Sequence, residues 1–338
     1  MKIALIGCGQ WGRNHLRVLN ALEAVDEVVC WDEFPQVARA AVRPYRKAAV
    51  AASEADALRR SDACVVAVPA TLHHRVARRA LDAGLHVMVE KPLAVAYDDA
   101  VELVSLAAAG GRTLMVGHIT LFHDAYRLLA GMARGGRLGR LRTITATRTN
   151  LGVIRQDVNV LMDLGPHDLA CVLDLAQAMP EWVSATGAAY VRSDVEDVVQ
   201  VTMGFPDGVY ASVHLSWLDP HKRRELTLVG DQAMATFDDV EPLEKVKIHD
   251  TRVDDVTASA AAPNGSFYYR HGGITTPWLP LREPLENEIR EFLQASERGA
   301  PPVSDGRFAL SVQACLDAAQ RSLRTGRRVS LEGTLATI

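Results

Sequence analysis

Cysteine is sparse in this chain and shows no pattern: the five residues Cys8, Cys30, Cys64, Cys171 and Cys315 are scattered, odd in number and form no C-x-x-C pair. That spacing excludes a disulfide framework and a structural zinc site, and it fits reduced thiols in a cytosol. No cluster of histidine, cysteine and acidic residues has metal-ligand spacing either, so no metal is expected. Also missing is any apolar run near the ~20 residues that span a bilayer, which leaves no membrane role. Met1-Lys2 runs directly into an apolar strand, an arrangement without a secretory leader, and the expected location is cytoplasmic. There is no excess of basic charge: 37 Lys+Arg stand against 41 Asp+Glu, a net −4. Partners that recognise a phosphate backbone show a basic face, so nucleic acid is not an expected partner, and Arg78-Arg79 reads as a solvated helix face. Repeats and low-complexity tracts are absent as well.

What remains is an ordinary globular composition, 48% hydrophobic and 23% charged, over 338 residues. That length exceeds the usual size of a single core, so two domains are expected. The most informative stretch is Ile3 to Asp32. An apolar strand leads into Gly7-x-Gly9-x-x-Gly12, then a helix-compatible segment, a second apolar strand and an acid at its end. In that order the pattern is a dinucleotide-binding fingerprint. Gly7 permits the tight turn, Gly9 lets the backbone approach a pyrophosphate, and Gly12 lets the helix pack against the strand. Gln10 and Trp11 sit inside the same turn, at the helix start whose N–H groups receive the phosphates. Asp32 stands where a carboxylate accepts hydrogen bonds from the adenosine ribose. A 2′-phosphate there would meet Asp32 and Glu33 with no arginine directly beside them, so NAD is expected in preference to NADP.

Strands alternate with alanine-rich helical pattern through the first third: Glu27 to Trp31, Ala63 to Val68, His86 to Val89 and Thr113 to Gly117. Continuously apolar strands in that alternation predict a parallel sheet covered on both faces, with the ligand at the carboxyl ends of the strands. Val68, Pro69, Glu90, Lys91, Pro92, Gly117 and His118 fall at those ends. After about Thr120 the pattern changes. A helix, Phe122 to Arg134, precedes period-two segments at Arg142 to Thr149, Glu181 to Tyr190, Val195 to Phe205, Val209 to Trp217, Arg224 to Val229, Ala233 to Asp238 and Val246 to Asp250. These predict a mostly antiparallel sheet. Helices are expected at Leu161 to Ala178, Leu285 to Arg298 and Ser304 to Thr325, and a mobile loop at Asp254 to Ser266. The expected division is 1–120, a Rossmann domain, and 121–338, an α+β domain with a large open sheet. An apolar open sheet face needs covering, so a homodimer or homotetramer is expected.

Together the motifs resemble the Gfo/Idh/MocA oxidoreductase family over nearly the whole chain. Val89-Glu90-Lys91-Pro92-Leu93 looks like the family's E-K-P motif, whose lysine faces substrate and nicotinamide and whose Lys-Pro bond is often cis. Pro69 and His73 match its P-x-x-x-H segment near the nicotinamide ribose. Asp163-Leu164-Gly165-Pro166-His167-Asp168 is similar to its D-x-x-x-H motif. A narrower likeness, to the branch containing nucleotide-sugar 3-dehydrogenases, is carried by Arg155-Gln156-Asp157-Val158-Asn159-Val160-Leu161, by Ser216 to Arg224, by Asp238-Asp239 and by Glu283-Pro284-Leu285. The chain departs from the pattern after Leu121-Phe122, where His123-Asp124 stands in place of Asn-Pro. The resemblance implies transfer of hydride between a ring secondary alcohol, at C3 of a sugar or nucleotide sugar, and NAD. A cyclitol dehydrogenase or a deoxysugar ketoreductase is the alternative, and an NAD-dependent glycosidase or a non-catalytic dinucleotide sensor stands further off.

Such chemistry needs a base for the hydroxyl proton and a charge for the developing alkoxide. His167 is the expected base, since an imidazole has an ordinary pKa near ~6.5. Asp163, four residues earlier, shares a helix face with it and would orient it or bind a hydroxyl. Lys91 would polarise the same oxygen. Arg155, Asn159, Lys222 and Arg224 are the expected substrate contacts. The roles of His118 and His123 stay open, and His221 reads as a surface residue.

Overall fold

The computed structural model describes all residues except 153, 156–157, 256–266, 281 and 332–338. The chain forms two compact units, one of Met1–Phe122 and Arg282–Ala314 and one of His123 to 280 and Cys315 to 331.

The first unit alternates strand and helix: β1 Lys2–Ile6, α1 Gln10–Ala21, β2 Glu27–Trp31, α2 Pro35–Val42, β3 Ala48–Val50, α3 Glu54–Arg59, β4 Ala63–Val66, α4 His73–Asp82, β5 His86–Glu90, α5 Tyr97–Ala109 and β6 Leu114–Gly117. Its six strands are all parallel, in the order β3-β2-β1-β4-β5-β6. Strands β1, β4 and β6 are buried along nearly their whole length because helices cover both faces, as their unbroken apolar runs require. The order reverses between β1 and β4, and in such sheets the ligand lies outside the carboxyl ends of the strands at that switch point. The short edge strand β3 has no counterpart among the sequence-predicted elements.

The second unit opens with α6 Asp124–Arg134, β7 Leu141–Thr149, α7 Val160–Ala176, β8 Trp182–Ala188, β9 Val198–Gly204, β10 Tyr210–Ser216, β11 Arg223–Gly230, β12 Met234–Asp238, β13 Val246–His249, β14 Arg252–Asp255, β15 Phe267–Arg270 and β16 Ile274–Thr275. Then come α8 Pro284–Arg298, which belongs to the first unit, α9 Gly306–Thr325 and β17 Val329–Ser330. The large sheet has nine strands in the order β16-β13-β12-β11-β7-β10-β9-β8-β17. Neighbours are antiparallel except the central pair β7 and β10. One face is apolar, with Ile144, Ala146, Val201, Val213 and Leu215 fully buried. On the other face of β7 to β10, Thr143, Thr145, Thr147, Gln200, Thr202 and Ser212 are partly or fully exposed. That open face is therefore rich in hydroxyl and amide groups, where the sequence pattern predicts an apolar one. Of the predicted loop at Asp254 to Ser266, Asp254 and Asp255 end β14 and the remainder lies outside the described residues.

The sequence division at 120/121 gives everything after it to one domain, whereas contacts group Arg282–Ala314 with the first unit. Ser304 Oγ donates to Val116 O at 2.7 Å, Val116 N–H donates to Ser304 O at 2.9 Å, and Met115 bridges Asp305. The segment thus adds backbone pairing at β6, the outer edge of the parallel sheet. Among the described residues no helix is long and apolar enough to cross a membrane, and no group of three His, Cys, Asp or Glu residues is placed to hold a metal ion.

Candidate active site

In the first unit the glycine turn leaves β1 with Gly7 at φ +95°, and a Cβ there would stand 2.5 Å from the Ala67 carbonyl oxygen. A Cβ on Gly12 would run into the Gly7 carbonyl, whereas one on Gly9 would meet nothing within 4 Å. Gly7 and Gly12 serve close backbone packing, and Gly9 faces open space where a pyrophosphate fits. Helix α1 starts at Gln10 with no side-chain cap and no acid in its first turn. Gln10 and half-exposed Trp11 border this end. Its free N–H groups and dipole suit an anion. The Asp32 carboxylate accepts the Cys8 N–H on Oδ2 at 2.8 Å and the Phe34 N–H on Oδ1 at 2.9 Å. Each oxygen keeps a second lone pair for a ribose hydroxyl. The residues present fit NAD.

At the carboxyl ends of β4 to β6 stand the other predicted cofactor residues. Val68 and Pro69 are partly buried, and the Lys91–Pro92 bond is cis. His73 is only 1% exposed, and its ring nitrogens lie 2.7 Å from Pro92 O and 2.9 Å from Val68 O. It braces the loops after β4 and β5, within the segment that the resemblance implies passes near the nicotinamide ribose. Burial draws its pKa down, against the pull of the two carbonyls. Glu90 Oε1 receives His15 Nε2 at 2.7 Å. Burial raises the Glu90 pKa, but the hydrogen bond and charge of His15, with Lys91 and His73, outweigh it and hold the carboxyl below its ordinary range. Nearby, burial plus the charges of Glu90 and Glu291 push Glu288 of α8 far above that range. His118 is pushed down to about 4 by burial and by Lys91. Lys91 thus shares its strand end with a carboxyl held below its ordinary range by His15 and an imidazole held down by burial.

In the second unit α7 carries Asp163 and His167 on one face, four residues apart, with Pro166 between them inside the helix. The Trp217 indole N–H donates to Asp163 Oδ2 at 3.2 Å, and Arg155 Nη1 reaches Asp163 Oδ1 at 3.5 Å. Asn150, Gly152, Arg155, Asp163, Leu164 and Trp217 line a pocket of about 300 Å³. Trp217 and Asn150 are absent from the sequence-predicted site. Asn159, expected to touch substrate, caps α7 instead: its Oδ1 accepts the Met162 N–H at 3.1 Å, and its Nδ2 donates to Glu196 at 2.8 Å. Arg224 pairs with Asp239 at 3.3 Å, while Lys222 is exposed at the start of β11. His123 caps α6, its Nδ1 accepting the Ala125 N–H at 3.1 Å, with its Nε2 3.6 Å from Asp239. Gln156 and Asp157 lie outside the described residues.

A doubly wound parallel sheet with this glycine turn, joined in one chain to a sheet-rich unit bearing an Asp-x-x-x-His helix, defines an NAD-binding oxidoreductase. Residues 1–118 match the model for the Gfo/Idh/MocA oxidoreductase family, NAD-binding Rossmann fold, and residues 126–236 match the Gfo/Idh/MocA C-terminal domain. The chain belongs to the Gfo/Idh/MocA oxidoreductase family. It is 27% identical over 317 residues to the UDP-N-acetylglucosamine 3-dehydrogenase of Acidithiobacillus ferrooxidans, spanning 90% of this chain and 92% of that one. The solved structure of that enzyme superposes with a TM-score of 0.81 at 26% identity, covering 96% and 97% of the two chains. The D-apiose dehydrogenase of Paraburkholderia graminis is 29% identical over 353 residues, 98% of this chain and 90% of its own. The inositol 2-dehydrogenase of Rhizobium meliloti is 23% identical over 342 residues, 98% and 99% of the two chains.

Proposed function

We propose that the protein oxidises a ring secondary alcohol, at C3 of a sugar or nucleotide sugar, with NAD as hydride acceptor. The observation that carries this reading is the pocket beside Asp163, walled by Trp217 and Arg155 on the helix face that also bears His167. An aromatic wall, a carboxylate and an arginine are the groups that hold a polyhydroxylated ring. Likeness to the Acidithiobacillus enzyme supports a nucleotide sugar, and likeness to the Rhizobium enzyme supports a cyclitol as the second reading.

In the proposed step His167 takes the hydroxyl proton as the alcohol becomes a ketone; NAD, which the glycine turn and Asp32 would hold, would supply the hydride acceptor for the same carbon. Lys91 holds the oxygen while negative charge develops on it. Asp163 accepts a neighbouring hydroxyl and fixes the ring. Arg155 and Lys222 lie on the substrate side, and Arg224 contributes through Asp239. The open face of the nine-stranded sheet, lined by hydroxyl and amide groups over β7 to β10, is the surface for a homodimer or homotetramer, and five free cysteines suit a cytoplasmic setting. The test is a panel of UDP-sugars, free sugars and cyclitols with NAD, followed at the reduced-nicotinamide absorbance band. NADH formation with a sugar nucleotide supports the first reading, and with cyclitols alone the second. No turnover of any ring alcohol overturns both.

A further inference from the structure

Helix α7 carries three carboxylates besides its histidine, and each is gripped by a donor from elsewhere in the second unit. Asp163 takes the Trp217 indole at 3.2 Å. Asp174 takes the Tyr126 hydroxyl at 2.6 Å and Arg134 at 2.5 Å. The middle one, Asp168, is held by both arms of one guanidinium: Arg148 Nε donates to Oδ2 at 2.6 Å and Nη2 to Oδ1 at 3.1 Å. Asp168 is also the most buried of the three carboxylates, at 3% side-chain exposure, and Arg148 is itself only 10% exposed.

Two features make the pair unusual. Arg148 occupies the inward face of β7, where Ile144 and Ala146 precede it at alternate positions, so a charge stands where the strand pattern calls for an apolar residue. An apolar pair of similar volume would hold helix to sheet at least as well, so adhesion alone does not account for it. In addition, Pro166 has no N–H to give the Met162 carbonyl, so one rung of the helix ladder is missing in the turn that carries Asp163 and His167. That turn therefore has one hydrogen bond fewer of its own to hold the direction of those two side chains. Asp168 is the next residue after His167, and a bidentate pair fixes angle as well as distance.

We infer that Arg148, acting through Asp168, is a positioning residue that sets the rotation of α7 about its axis and hence the direction of Asp163 and His167. The inference rests on the catalytic role proposed above for His167. A rotation of about 20° displaces a side-chain tip some 5 to 6 Å from a helix axis by about 2 Å, and displacements of about 1 Å can cost roughly 100-fold in rate.

The experiment measures kcat, KM, NAD affinity and Tm for R148M, R148K, D168N, the double variant R148M/D168L, and H167N as control. R148M is expected to lose about 100-fold in kcat, with a smaller change in KM, an unchanged NAD Kd and a lower Tm. The double variant recovers Tm, because the uncompensated buried charge is gone, but not kcat. R148K, which keeps charge without the fork, falls in between. Recovery of kcat together with Tm in the double variant would show that the pair merely holds the fold, and it overturns the inference. Unchanged kcat in R148M does the same. If the apolar variants do not fold, R148K and D168N decide: a kcat loss of about 10-fold or more at constant NAD Kd supports positioning, and wild-type kcat refutes it. Wild-type kcat in H167N instead removes the reading beneath the inference, whereas a dead H167N beside fully active Arg148 variants removes the inference alone.

Discussion

Replacing Asp32 by Asn tests the cofactor site with almost no change in shape. The carboxylate now accepts two backbone N–H groups, from Cys8 at 2.8 Å and Phe34 at 2.9 Å, and its remaining lone pairs are available to the adenosine ribose. In D32N one oxygen becomes an NH2 donor, which faces one of those two N–H groups head on, so one bond to the turn is lost. The ribose contact loses its charge assistance, worth about 1.5 to 3 kcal/mol, and NAD affinity should fall about 10- to 100-fold. The damaged turn appears separately, as a lower Tm of the free protein. For NADP the sign reverses. A 2′-phosphate about 4 to 5 Å from a carboxylate is repelled by roughly 3 to 4 kcal/mol at an effective dielectric constant near 20, and D32N relieves it. Titration calorimetry with both dinucleotides should therefore show NAD weakening while NADP holds or improves, so that the preference for NAD collapses by about 100-fold or more. An NAD Kd within about threefold of wild type, with the preference intact, would refute this account of Asp32.

W217F removes the indole N–H that reaches Asp163 and, because Trp217 is buried, also leaves a cavity. It should cost roughly 5- to 30-fold in kcat/KM, in line with about 1 to 2 kcal/mol for a hydrogen bond to a partly exposed carboxylate, together with a lower Tm from the cavity, and unchanged kinetics would show that the contact is idle. His118 makes a pH prediction. Burial and Lys91 depress its pKa to about 4, so as pH falls through ~6.5 the unfolded chain takes up a proton that the folded chain refuses. Stability contributed by the neutral ring is complete above that pH and declines from about 6.5 towards 4, by up to ~3 kcal/mol. Urea unfolding of wild type and H118F at several pH values measures it. Equal slopes in the two proteins would contradict the assignment.

Local features of the sequence carried furthest. The strand, glycine turn and Asp32 lie within some thirty residues, and period and turn chemistry alone define them. The six-stranded parallel sheet and the long antiparallel strands follow from the same reasoning, but β3, β16 and β17 are too short to show a period. Long-range pairings were the part out of reach. Trp217 meets Asp163 across 54 residues of chain, and Arg148 meets Asp168 across 20. Nothing in the residues from 282 to 314 signals that Ser304 pairs with Val116, because one added backbone pairing leaves no pattern in composition. Asn159 carried a signal that pointed elsewhere: an asparagine directly before an apolar helix is an N-cap, and capping is the use the fold makes of it. His73 was legible as a motif residue, but its two carbonyl partners at Val68 and Pro92 appear only once the loops after β4 and β5 are folded.

The roles of His167 and Lys91 are tested most directly by the rate of NADH formation by H167N and K91M at saturating NAD and ring alcohol. Both variants should bind NAD as the wild type does and lose about 100-fold or more in kcat. Either variant turning over at the wild-type rate with NAD bound would contradict the central claim.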